Sequence, residues 1–102
     1  MRDMGAIQRM AQEMQKKMEK AQAELAEAEV QGSAGGNAVS VTFTGAMEIK
    51  SIVIAKDAVD PEDVETLQDL VFAAVKDGLE KAKKMQADRM NAVTGGLRLP
   101  GM

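Results

Sequence analysis

The strongest constraint on this chain is a heptad repeat at its beginning. With Met4 at position a, the a positions hold Met4, Ala11, Met18 and Leu25, and the d positions hold Ile7, Met14, Ala21 and Ala28. All are apolar over four heptads, a pattern that specifies a helix with one narrow seam laid against another helix. The residues between them are mostly Gln, Glu, Lys and Ala, which are good helix formers. Glu13 and Lys17 stand four apart in the favourable order for a helical ion pair. A helix over residues 3–28 is about 39 Å long, too long to be enclosed by a small domain, so it is expected to project. A seam of this length lacks an evident partner within one small domain. It therefore points to a helix or subunit interface formed by Met4, Ile7, Ala11, Met14, Met18, Ala21 and Leu25. Methionine fills irregular gaps and suits adaptable helix surfaces. If part of the seam stays open, it would also serve as a docking surface for other proteins.

The pattern then changes period. Ala26, Ala28 and Val30 alternate with Glu27, Glu29 and Gln31, which reads as a strand overlapping the last heptad. Residues 32–37, GSAGGN, read as a turn. Val39, Val41 and Phe43 alternate with Ser40, Thr42 and Thr44 in the clearest strand, with one dry face and one hydroxyl face. A third strand is expected over residues 47–54. Ile49 and Ile52 cannot share a face there unless a bulge intervenes near Ser51. Short turns imply an antiparallel meander.

The next helix is signalled by Asp60 as N-cap, Pro61 in the first turn, and Glu62 and Asp63 at its positive end. Its broad stripe of Val64, Leu67, Val71, Ala74, Val75, Leu79, Ala82 and Met85 is suited to covering a sheet. Gly78 sits inside this helix at a cost of about 1 kcal/mol against Ala, and close approach of another helix would account for it. The expected fold is α+β, of order α-β-β-β-α, with a three-stranded antiparallel sheet and long projecting terminal helices. A single domain spans residues 1–102, with residues 91–102 expected to be a flexible tail.

Composition bears on function. The 102 residues include no Cys, His, Trp or Tyr and only Phe43 and Phe72 as aromatics. Thiol chemistry and zinc knuckles are thereby excluded, and the usual general base at neutral pH is missing. There is no aromatic platform for stacking single-stranded bases. The chain reads as a non-enzyme, without cofactor, metal or small-molecule substrate. The P-loop Lys-Ser/Thr pair does not follow the glycines at 32, 35 and 36, and the acidic group from Asp57 to Asp69 lacks the spacing of an EF-hand. Helix capping and a solvated first turn account for those carboxylates. The opening MRDMGAIQRM lacks the apolar stretch of a signal peptide, and no apolar run approaches the length of a membrane span. A cytoplasmic location is expected.

Net charge is −3, whereas a nucleic-acid binder needs at least a local basic surface. The charges are segregated. Residues 2–20 carry a net +2, residues 76–98 a net +3, and residues 56–69 a net −5. Arg2, Arg9 and Lys16 recur every seven residues at position f, opposite the seam, and Lys20 lies one turn beyond Lys16. Ordinary solvated faces are one account of this pattern, and two basic helical arms around an acidic centre are another.

The opening helix IQRMAQEMQKKMEKAQAEL is followed by a Gly-rich turn and the strand AVSVTFTG. The acidic start DPEDVETLQDLVFAAVKDGLEKAK and the ending MNAVTGGLRLPGM complete the order. In this sequence they resemble the YbaB/EbfC family of bacterial nucleoid-associated proteins, and the resemblance covers nearly the whole chain. It implies a homodimer in which the sheets of two subunits join and the long helices project like the arms of tweezers. It also implies binding of double-stranded DNA, a place in the nucleoid, and effects on DNA conformation and gene expression. Phosphate contacts would come from Arg2, Arg9, Lys16, Lys17 and Lys20, and then from Lys81, Lys83, Lys84 and Arg89. The rival is a homodimeric interaction or scaffold protein that docks partners on its Met-rich helix.

Overall fold

The computed structural model describes residues 4–95. Helix α1 (Met4–Glu27) leads into strands β1 (Glu29–Ala34), β2 (Val39–Thr44) and β3 (Ile49–Ile54). A 3₁₀ turn (Lys56–Ala58) and helix α2 (Val64–Thr94) follow. The sheet is an antiparallel meander in the order β1-β2-β3. The α-β-β-β-α architecture expected from the sequence is the one observed.

The alternation in β2 sorts its side chains. Val39, Val41 and Phe43 are buried against α2, while Ser40, Thr42 and Thr44 face the other way. Register carries Val30 and Ala34 of β1 onto the same dry face, with Gly32 between them. On β3 the pairing slips between Thr42 and Phe43, so that Thr42 faces Ser51 and Phe43 faces Ile49. Lys50 is the extra residue, and this bulge returns both Ile49 and Ile52 to the dry face, as their spacing demanded. On the polar face Lys50 forms an ion pair with Glu29 of β1.

Several boundaries differ from the sequence reading, each for a local reason. The Ala26–Ala28 alternation belongs to the end of α1, where Ala28 N–H still donates to Glu24 C=O at 2.9 Å. Gly32, Ser33 and Ala34 are strand rather than turn. The reversal is made by Gly35, Gly36 and Asn37, all at positive φ. Helix α2 begins at Val64 with Asp63, not Asp60, as its N-cap. The Asp63 carboxylate accepts from Thr66 N at 3.2 Å and from Thr66 Oγ1 at 2.6 Å. Asp60 holds a preceding turn by accepting from Glu62 N at 2.9 Å. At the other end α2 runs through Thr94, so residues 91–94, expected in the tail, are helical. The rest of that expected tail, residues 96–102, lies outside the described residues.

Gly78 is required by a strand, not by a second helix. A Cβ on Gly32 would stand 2.2 Å from the Gly78 nitrogen and 2.5 Å from the Ala74 carbonyl oxygen. A Cβ on Gly78 would stand 2.7 Å from the Phe43 ring. The two glycines let α2 lie directly on β1, and Leu67, Leu70, Val71, Val75 and Leu79 then close over the buried Val39, Val41 and Phe43. Helix α2 sits over β1 and β2, which leaves β3 uncovered.

Candidate nucleic-acid interface

The two helices are longer than the sheet is wide. At 1.5 Å per residue α1 is about 36 Å long and α2 about 46 Å, and the molecule measures 74 × 28 × 16 Å. The C-terminal half of α2 runs back along α1, so the seam has a partner within the chain. Ala21 and Leu25 are buried, and Met14 and Met18 are half-buried. For the base of the seam the partner helix is α2, which its 31 residues make long enough to serve. Beyond that contact Met4, Ile7, Met10 and Ala11 are exposed. Gly45 anchors the base of the arm, since a Cβ there would stand 2.7 Å from the Leu25 carbonyl oxygen.

With the seam turned toward α2, position f points away from the body. Arg9 and Lys16 occupy it, and Lys20 lies beside them; all three are exposed. Lys17 is exposed nearer to α2, in a shallow notch it shares with Met10, Met14, Ala92 and Val93. Arg2 lies outside the described residues. Among the described residues none of the four α1 cations Arg9, Lys16, Lys17 and Lys20 is in an ion pair.

The cations of α2 are placed differently. Lys81 donates to the Gln31 carbonyl at 3.1 Å and pairs with Asp77 at 3.2 Å. Lys84 pairs with Asp88 at 3.1 Å, and Arg89 reaches across to Glu24 of α1. Of the four α2 candidates, only Lys83 has no carboxylate within ion-pair distance among the described residues. The Lys81 and Lys84 pairs are four residues apart and legible in the sequence, whereas 65 residues separate Arg89 from Glu24 and conceal that pair.

The acidic residues from Asp57 to Asp69 gather around the start of α2, at the end of that helix remote from the pairing with α1. The Asp63 carboxyl is held below the usual carboxylate range by the Thr66 hydroxyl and then by the Thr66 amide. Its hydrogen bonds are those of a helix cap. Among the described residues no group of three or more acidic side chains is arranged to hold a metal ion, and no helix is long and apolar enough to cross a membrane.

The model of the YbaB/EbfC DNA-binding family matches residues 1–97. The chain belongs to that family. The chain is similar to a nucleoid-associated protein of Alkaliphilus metalliredigens, 48% identical over 100 residues, which span 98% of this chain and 88% of the relative. Another nucleoid-associated protein, from Roseiflexus castenholzii, is 48% identical over 95 residues, covering 93% and 94% of the two chains. An uncharacterized protein of Helicobacter pylori has a similar crystal structure, with a TM-score of 0.76 at 23% identity over 94% of this chain and 98% of that one. It shares the fold.

One feature of this YbaB/EbfC chain escaped the sequence reading. All six residues of β3 are exposed, Ile49 at 51%, Ile52 at 46%, Val53 at 62% and Ile54 at 39%. Phe72 on α2 is 70% exposed, with Val64 and Val59 also open. Phe72 stands outside the apolar stripe of α2, and that misplacement was the available signal. A large aromatic off the buried face wants another surface to cover it.

Proposed function

We propose that the protein binds double-stranded DNA as a homodimer, largely through phosphate contacts from the α1 arms. The observation that carries this reading is the line of cations along the outer face of α1, Arg9, Lys16 and Lys20 with Lys17 beside them, none in an ion pair among the described residues. Cations already facing carboxylates would contribute less, so Lys81, Lys84 and Arg89 rank below α1, and Lys83 is the α2 residue to add. Arg2 extends the f-position line by one heptad. Among the described residues no element reads as a base-specific recognition helix, so selectivity would come from DNA shape and deformability. The acidic start of α2 repels phosphate and confines contact to the arms. Membership in the family and the names of the relatives support a place in the nucleoid, with effects on DNA conformation and gene expression following from binding.

The uncovered β3 supports the dimer. An exposed apolar edge strand is a template for pairing. Two β3 strands meeting antiparallel about a two-fold axis would join the sheets and give Ile52, Ile54 and Phe72 a cover. A dimer presents two α1 arms, and hence a clamp. The test is a duplex-DNA shift assay across a salt series, with sedimentation of the free protein. Binding at low salt that falls steeply with added salt is expected, on a protein of dimer mass. No binding at low salt refutes the DNA reading, and a folded monomer at micromolar concentration refutes the dimer.

The exposed Met4, Ile7 and Met10 favour a second role for the same arm, docking a protein partner on its inner face. Contact there would be insensitive to salt, unlike contact through the outer face.

A further inference from the structure

The two edges of the sheet are unlike. In an antiparallel ladder alternate residues turn their backbone groups toward the neighbouring strand and away from it. On β1 the groups of Gln31 and Ser33 point outward, where an added strand would bind. Both residues are engaged by α2. Ser33 N–H donates to the Asp77 carboxylate at 3.0 Å, and the Gln31 carbonyl accepts from Lys81 Nζ at 3.1 Å. Asp77 and Lys81 are one helical turn apart and pair with each other at 3.2 Å. Together they present to β1 an acceptor and a donor, as a neighbouring strand would. On β3 the outward groups are those of Ile52 and Ile54. Among the described residues neither side chain nor backbone meets them.

This difference decides how an assembly through the sheet ends. Pairing of β3 with β3 is isologous and closes at two copies. Pairing of β3 with the β1 of another copy is head-to-tail and leaves a free edge at each step. We infer that the Asp77–Lys81 pair closes the β1 edge against a second copy of this chain, so that the sheet grows through β3 alone and stops at the dimer. The inference rests on the dimer reading above. The α2 pair is thus assigned to the shape of the assembly, apart from any contact with DNA.

The experiment is sedimentation velocity of the full chain carrying Asp77→Ala and Lys81→Ala, beside the wild type, with far-UV circular dichroism on both. Folded double variant in concentration-dependent species larger than the wild type is the expected result. Adding Ile52→Lys should abolish those species, because growth uses β3. A folded double variant of wild-type mass overturns the inference. A wild-type monomer refutes the dimer reading by itself, and growth of the double variant beyond that monomer still supports the closed edge. Amide exchange covers the case in which the double variant does not fold. In the wild type the Ser33 amide should exchange about tenfold more slowly than in the single variant Asp77→Ala, which removes its acceptor. Equal rates overturn the inference.

Discussion

Replacing Arg9 and Lys16 by glutamine removes two cations from the outer face of each α1 arm while keeping long helix-forming side chains. The residues are exposed and their neighbours on the seam are untouched, so the fold should hold. Their Cα atoms are about 10.5 Å apart along the axis, far enough for each to meet a different phosphate. Each phosphate contact contributes about 0.9 to the slope of log K against log salt for duplex DNA. Two contacts on each of two arms therefore account for a slope of about 3.6. Between 50 and 200 mM salt that is a factor of about 150 in affinity that the wild type loses and the variant does not. A fluorescence anisotropy titration of a labelled duplex at five or six salt concentrations reads the slope directly. A slope lower by about 1.8 would mean that one arm of the dimer engages at a time. An unchanged slope would refute the assignment to α1. If Lys83→Gln with Lys84→Gln then lowered it, the contact would belong to α2.

Three further outcomes follow from the packing. Gly32→Ala places a methyl group 2.2 Å from the backbone of Gly78 and should destabilise the fold by at least about 1–3 kcal/mol, the ordinary cost of overpacking, read as a lower urea midpoint. Leu25→Ala empties a site that is 2% exposed where α1 joins the sheet, and should cost about 2–5 kcal/mol in the same assay. Acid should weaken the fold: the Ser33 amide and then Lys81 hold the Asp77 carboxyl below its usual range, as Thr66 does for Asp63. With folded values below unfolded ones, this stability is present above about pH 4 and is lost as pH falls through the lowered values. A melting temperature that stays flat from pH 6 to 2.5, or falls just as far in Asp77→Asn, would contradict the role of Asp77.

The features set by local periodicity were legible in the residues. The heptads of α1, the alternation of β2 and the bulge demanded by Ile49 and Ile52 all concern neighbours along the chain. Errors gathered where two signals overlapped, as at Ala28, or where two candidates for one role lay close together, as with Asp60 and Asp63. What could not be read depends on pairs brought together by the fold. Gly78 announced a close approach but not that Gly32 lay beneath it. The basic stretch of α2 looked equivalent to that of α1 until Glu24 was found beside Arg89 and Gln31 beside Lys81. For the same reason the exposure of β3 was hidden: its isoleucines have the composition of a core strand, and only the offset of α2 toward β1 uncovers them.

The arm bears on how binding is felt thermodynamically. Helix α1 is fully buried only near its base, at Ala21 and Leu25; Met14 and Met18 are half-buried beside Lys16, and Arg9 lies further out, where Met4, Ile7 and Met10 are exposed. A helical segment without packing keeps its shape by local propensity, and short isolated segments do so only marginally. Backbone amides should therefore lose protection against exchange progressively from Leu25 outward to Met4, so the residues that carry the cations open at far lower free energy than the sheet. DNA that seizes them would also finish folding them. Its binding enthalpy and heat capacity would then report a helix being completed as well as ions being released.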